Sequence, residues 1–242
     1  MKKAVSIGIC AVLVLGAAVT GVFIKHRGCD VTALIRQSAS EGHTLPATAP
    51  VDAADPYREG RLYWEIEKAQ AAQPAYTLLQ GETIRIDSTE VLTIAGQYRQ
   101  EGKNEPYETA LRYVLEREVL YAAAVDAGYR VSETDAARHV AAMRRSFAEA
   151  SDRDRFLAYL ETVGLSEDAY WERQLPVIQK EDTTAAYIAA VKAEKGLDIA
   201  TSPEDAARKE DRWQALRARI LRRQLRRERV RVVPRQAGSS GE

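Results

Sequence analysis

PYETALRYVLEREVLYAAAVDAG, residues 106–128, is the stretch on which the fold class turns. Proline at its start suits the first turn of a helix, and Gly128 suits the residue just past its end. Between them Tyr107, Leu111, Val114, Leu115, Ala122 and Val125 recur at three- and four-residue spacing, which predicts one long helix with a continuous apolar face. Val119, Leu120 and Tyr121 widen that face, so the helix is expected at the centre of the domain. Glu118 falls inside the stripe, where an unpaired charge is expensive. It is either neutralised by an arginine from a neighbouring helix, led out to solvent, or functional.

On both sides of this stretch the chain reads as helix after helix. Ser88 or Thr89 caps a helix that runs to about Glu101 and stops at Gly102. Ser132 and Asp135 stand at capping-box spacing and open a helix bearing Val140, Met143 and Phe147. The next, about 152–162, carries Phe156, Leu157 and Leu160. Ser166 opens a long helix to about Lys195, in which Pro176 removes a hydrogen bond and clashes with the preceding turn, which predicts a kink near Glu172–Pro176. Ser202-Pro203 starts a last helix with a stripe of Trp213, Leu216, Ile220 and Leu225. Around these helices, Thr83–Ile86 alternates and predicts a short strand, and 230–233 a closing strand before a loose tail over 234–242. The fold class is mainly α, with one or two short strands, over 81–233.

Residues 28–80 are expected to form a tether. EGHTLPATAPVDAADP, residues 41–56, has prolines and small residues without periodicity, and one short amphipathic helix is expected at 57–73. Ahead of it AVSIGICAVLVLGAAVTGVFI, residues 4–24, is 21 residues without a charge. As a helix it is about 31 Å long and matches a bilayer's hydrocarbon core. A cleaved signal peptide competes, but its apolar region should be only about 7–15 residues. We read residues 1–27 as a cytoplasmic flank and an uncleaved transmembrane signal-anchor, with the rest extracytoplasmic in a cell-membrane protein. Charges on the two flanks are nearly balanced, so that orientation rests on the amino terminus.

The chain has 242 residues, 45% hydrophobic and 29% charged, with 35 basic and 35 acidic side chains, which excludes global disorder. Cys10 and Cys29 make no disulfide framework. No HExxH, Cys-rich ligand spacing, GxGxxG, GxxxxGK[ST] or GxSxG occurs, so neither metal, nucleotide cofactor nor nucleophile-elbow hydrolase has motif support. Charge is uneven. From Arg208 to Arg235 the net is +9, and the remainder is −9. One reading pairs this basic face with the acidic body or with water. The sharper reading makes Arg219, Arg222, Arg223 and Arg226 a site for polyanions, either anionic lipid or a cell-wall polymer, with no nucleic acid expected.

The order of these elements resembles a known family. GETIRIDSTEVLTIAGQYR (81–99) is similar to the strand, turn and first helix of the SurA/PrsA-type chaperone domain. ALRYVLEREVLYAAAVDAGYRVSETDA (110–136) resembles its long second helix and the capped helix start after it. RFLAYLETVGLSEDAYWERQLPVIQKE (155–181) resembles the stretch that follows. Many members carry a parvulin-type prolyl isomerase domain before the returning C-terminal helix. Here only about 196–202 stands there, and no Gly-Gly pair occurs. The resemblance therefore implies a SurA N-terminal-like peptide-binding domain without its catalyst: not an enzyme, but a membrane-anchored chaperone for unfolded or exported polypeptides. Tyr113, Tyr121, Tyr170 and Trp171 are the candidate peptide contacts. A scaffold binding one protein partner or a polyanion is the alternative, and a prolyl isomerase-related foldase the third reading.

Overall fold

The computed structural model describes residues 31–41, 43, 65–66, 68–69, 74–151 and 153–234. In chain order the elements are α1 (Val31–Ala39), β1 (Thr77–Gln80), β2 (Arg85–Asp87), α2 (Ser88–Gln100), α3 (Pro106–Asp126), α4 (Glu133–Ala148), α5 (Arg153–Thr162), α6 (Glu167–Glu194), α7 (Pro203–Glu228) and β3 (Arg231–Val232). The described chain is mainly helical, as its periodicity predicts.

Helix α3 is the centre of the larger of two apolar clusters. Ala110, Leu111, Val114, Leu115 and Val119 are fully buried on it, against Val91, Leu92 and Ala95 of α2 and Leu221 and Leu225 of α7. Its end follows from Gly128, whose φ of +86° lets the Tyr129 N–H reach back to the carbonyl of Ala124 and close the last turn. A three-stranded antiparallel sheet in the order β2-β1-β3 lies over the same cluster, pairing Leu79 with both Ile86 and Val232. The sheet thus joins the beginning of the domain to its end.

The smaller cluster belongs to α4, α5 and the first half of α6, where Phe147, Phe156 and Trp171 meet with ring centroids 5.2–6.0 Å apart. The ion pair Arg144–Asp168 at 2.6 Å and the hydrogen bond between His139 Nδ1 and Asp182 at 2.9 Å tie α4 to α6. Helix α6, 28 residues or about 42 Å long, is shared by both lobes. Helix α6 continues through Pro176 as one element, the proline standing at an exposed position.

Two boundaries need correction. The 28–80 tether contains α1, whose Ile35 and Ser38 are 2% and 1% exposed, and which packs on α3 and β3. It also contains β1, so the domain does not begin at residue 81. Both are short. Helix α1 has one apolar group, Val31, Leu34 and Ile35, directly ahead of proline-rich sequence, and β1 has only two adjacent leucines, which show no alternation. Of the helix expected at 57–73, residues 65–66 and 68–69 are helical, and Ile66 is fully buried over α2. A Cβ on Gly96 would lie 3.1 Å from Ile66, so glycine is what admits this contact. The rest of that helix, the 4–24 segment and the tail beyond Pro234 lie outside the described residues. Among the described residues no helix is long and apolar enough to cross a membrane.

The last helix is integral to the main lobe. Trp213, Leu221 and Leu225 are buried, while Leu216 and Ile220, expected beside them, are half-buried at the edge. Arg217 pairs with Glu116 of α3 at 2.6 Å, and Asp126 of α3 accepts from Gln224 at 2.7 Å and pairs with Arg227 at 3.0 Å.

Candidate functional site

The four aromatic candidates fall into two separate places. Tyr113 and Tyr121 stand eight residues apart on one side of α3, with Arg117 between them. The guanidinium of Arg117 lies 6.0 Å from the Tyr113 ring centroid, and Lys180 Nζ of α6 lies 5.1 Å from that of Tyr121. Both rings are half-buried beneath cations, so they belong to a charged seam rather than to an open apolar groove.

Glu118 holds that seam together. Its carboxylate is 2.7 Å from Arg117 on its own helix and 2.7 Å from Lys180 across the α3–α6 interface. Of the readings left open by the sequence, pairing is the one realised, with a lysine as the partner from the neighbouring helix and the arginine next in sequence. Arg117 also binds Glu90 of α2 at 2.7 Å. Burial works against the Arg117 charge, but the hydrogen bonds and charges of Glu90 and Glu118 outweigh it and hold the guanidinium ionised. Nearby Glu181 is pushed up from the ordinary carboxylate value by burial, with the charge of Asp182 adding to it. The arrangement is a satisfied ionic network joining three helices.

Tyr170 and Trp171 lie in the second lobe, at the N-terminal end of α6. Lys180 is about 15 Å farther along the same helix, so the two pairs of aromatics do not form one site. Trp171 is 3% exposed, packed on Phe147 and Phe156, with its Nε1 donating to Glu167 at 3.3 Å. It is therefore corrected from candidate contact to core. Tyr170 remains half-exposed, T-shaped against Phe156 at 5.1 Å.

Sequence reasoning missed the side chains that actually reach the surface here. Leu157 of α5 is 37% exposed and Val177 of α6 is 42% exposed. Val177 follows Tyr170 by seven residues and so shares its side of the helix, while Leu165, Leu175, Tyr159 and Met143 are half-buried around the same cluster. The signal was available in the adjacent pairs Phe156-Leu157 and Val177-Ile178. A helix can turn only one member of such a pair inward, and Phe156 and Ile178 take that place.

On the main lobe, Arg219, Arg223 and Arg226 are exposed and Arg222 is half-exposed on α7. Around α1, the buried Ser38 and Tyr107 hydroxyls are 2.8 Å apart, and the His43 ring stacks on Tyr107 at 4.5 Å. Burial raises the Tyr107 hydroxyl above its ordinary range, so it stays protonated and available as a donor. This group fastens the segment after α1 to α3. Among the described residues no group of three or more His, Cys, Asp or Glu side chains is placed to hold a metal ion. Compared with protein-family models, with curated proteins and with solved structures, the chain matches none.

Proposed function

We propose that this protein is a membrane-anchored, extracytoplasmic, non-catalytic chaperone of the SurA/PrsA kind, which holds unfolded or extended polypeptide against its second lobe. The observation that carries the reading is the apolar surface of that lobe: exposed Leu157 and Val177, with Tyr170 half-exposed on the Val177 side of α6. Burial of apolar segments is non-directional and so tolerates many client sequences. The element order supports it, since a short sheet, a central α3 and a long α6 are followed by a helix that returns directly onto α3. The short connection from α6 to α7 stands where many members of the family that the chain resembles carry an isomerase domain, which supports a role without prolyl isomerase chemistry.

Covering about 400 Å² of apolar client surface corresponds to a gross ~10 kcal/mol, much of it offset by ordering the client, so micromolar affinity is expected. The test is light scattering from chemically denatured clients diluted into a molar excess of the chain from residue 28 onward, without ATP. Suppression across unrelated clients is expected, and L157S/V177S should weaken it about tenfold. Unchanged aggregation with several clients, and no shift in tryptophan emission with unfolded peptide, would sink the reading and leave the scaffold.

A further inference from the structure

The outer side of α7 carries a row of arginines that the fold does not use. Counting 100° per residue, Arg212, Arg219, Arg223 and Arg226 fall within about 60° of one another, opposite the side that buries Leu221, Leu225 and Glu228. All four are exposed, and Arg222 borders them half-exposed. Among the described residues no side-chain hydrogen bond or ion pair reaches any of these five or Arg231 of β3, although the charge of Arg223 acts on the Tyr187 hydroxyl of α6. The other arginines of α7 are paired: Arg217 with Glu116, Arg208 with Asp205 and Arg227 with Asp126. The fold thus divides the basic residues of one helix into a set that anchors it and a set that faces water.

A second observation places this row. Helix α1 begins at Val31, not at the end of a long tether, and it packs on β3, the strand that directly follows α7. Only residues 25–30 separate α1 from the apolar segment 4–24, a reach of no more than about 25 Å when fully extended. On the reading of 4–24 as a membrane anchor, the main lobe is held close to the bilayer surface. Screening in physiological salt confines electrostatic attraction to about 8 Å, so such confinement is what lets a basic row act on a membrane.

We propose that Arg212, Arg219, Arg223 and Arg226 of α7 form a docking surface for the anionic phospholipid headgroups of the bilayer that, on the reading above, holds the 4–24 segment. The row runs about 21 Å along a straight helix, which suits a plane of charges. The −9 on the rest of the chain orients the lobe, turning this side toward an anionic surface and the others away from it. Docking would fix one side of the main lobe to the membrane. This inference rests on the membrane reading of 4–24, so its experiment separates the two.

The full chain, with Cys10 and Cys29 replaced by serine and a donor fluorophore on A207C, is reconstituted into phosphatidylcholine vesicles with or without 30% phosphatidylglycerol, each containing a headgroup-labelled acceptor lipid. Energy transfer should be higher with phosphatidylglycerol. It should fall to the neutral-vesicle value in high salt or in R212Q/R219Q/R223Q/R226Q, and the corresponding four lysine substitutions should restore it. Equal transfer in the two vesicles overturns the proposal. So does retardation of a duplex oligonucleotide, abolished by the glutamine variant, in place of the lipid effect. Failure to float with neutral vesicles after carbonate washing overturns the membrane reading instead. The row is then judged by co-flotation with phosphatidylglycerol vesicles: binding reduced about tenfold or more in the glutamine variant supports it, and no binding overturns it.

Discussion

Glu228 is a carboxylate in the interior, 4% exposed, and every position around it is answered. Its oxygens accept from the Thr83 N–H at 2.7 Å, the Thr83 hydroxyl at 2.8 Å, the Ile84 N–H at 3.3 Å and Gln224 at 3.3 Å, while its own carbonyl accepts from the Glu82 N–H at 3.0 Å. The backbone of Gly81 passes so close that an added Cβ would sit 3.1 Å from this side chain. One residue thus clasps the end of α7 to the β1–β2 turn. Removing it strands buried donors, so E228A should destabilise the domain by about 3 kcal/mol in urea unfolding, and E228Q by less, because an amide oxygen still accepts. An E228A variant as stable as the parent would show that the turn is held by the strands alone. Glu118 was legible as an anomaly because its own helix supplied the apolar stripe that makes a charge conspicuous. Glu228 was not: it sits in an arginine-rich run, and its partner Thr83 is 145 residues away, so nothing local distinguishes it from a solvated acid.

Among the elements, the starts of three helices were the most legible feature, because capping is local chemistry, whereas the cap expected at Ser88 or Thr89 is not formed: α2 opens from Asp87, and the Ser88 hydroxyl accepts instead from the Tyr76 N–H. Ser132, Ser166 and Ser202 each accept the N–H three residues on, as their spacing predicts. Elements defined by distant partners, α1 and β1 above all, were invisible for the same reason inverted: their few apolar residues gain meaning only against α3 and β3. The start of α7 also sets a pH response. Asp205 is held well below its ordinary value of 3.8, first by the Thr201 N–H at 3.1 Å, then by Arg208 and Lys209. A group lowered in the folded state contributes stability that is complete above its unfolded value and is lost as pH falls through the folded one. Melting temperature should therefore drop progressively below about pH 4. D205N should start lower at neutral pH and show a flatter acid limb; an acid limb as steep as the parent's would assign the loss to other carboxylates.

For the molecule as a whole, the two lobes differ in how far apart in sequence their contacts lie. The second lobe is built from α4, α5 and the adjoining half of α6, consecutive in the chain, whereas the main lobe needs α1 and β1 to meet α7 and β3. Loop closure costs more and takes longer for the distant pairs. A chain ending at residue 196 should accordingly keep slow hydrogen exchange in α4 and α6 while losing it in α3, which is the outcome to seek by mass spectrometry; uniform loss would mean that the lobes fold as one unit. The pairing of Leu79 with Val232 then acquires a meaning in time. At a synthesis rate of about 5–20 residues per second, β1 waits on the order of ten seconds for the strand that covers its outer edge. Throughout that interval an unpaired strand and the apolar side of α3 are open to other chains. While it is being made, this protein must itself pass through the unprotected condition from which it is proposed to shield others, and its own nascent chain belongs among the first clients to try.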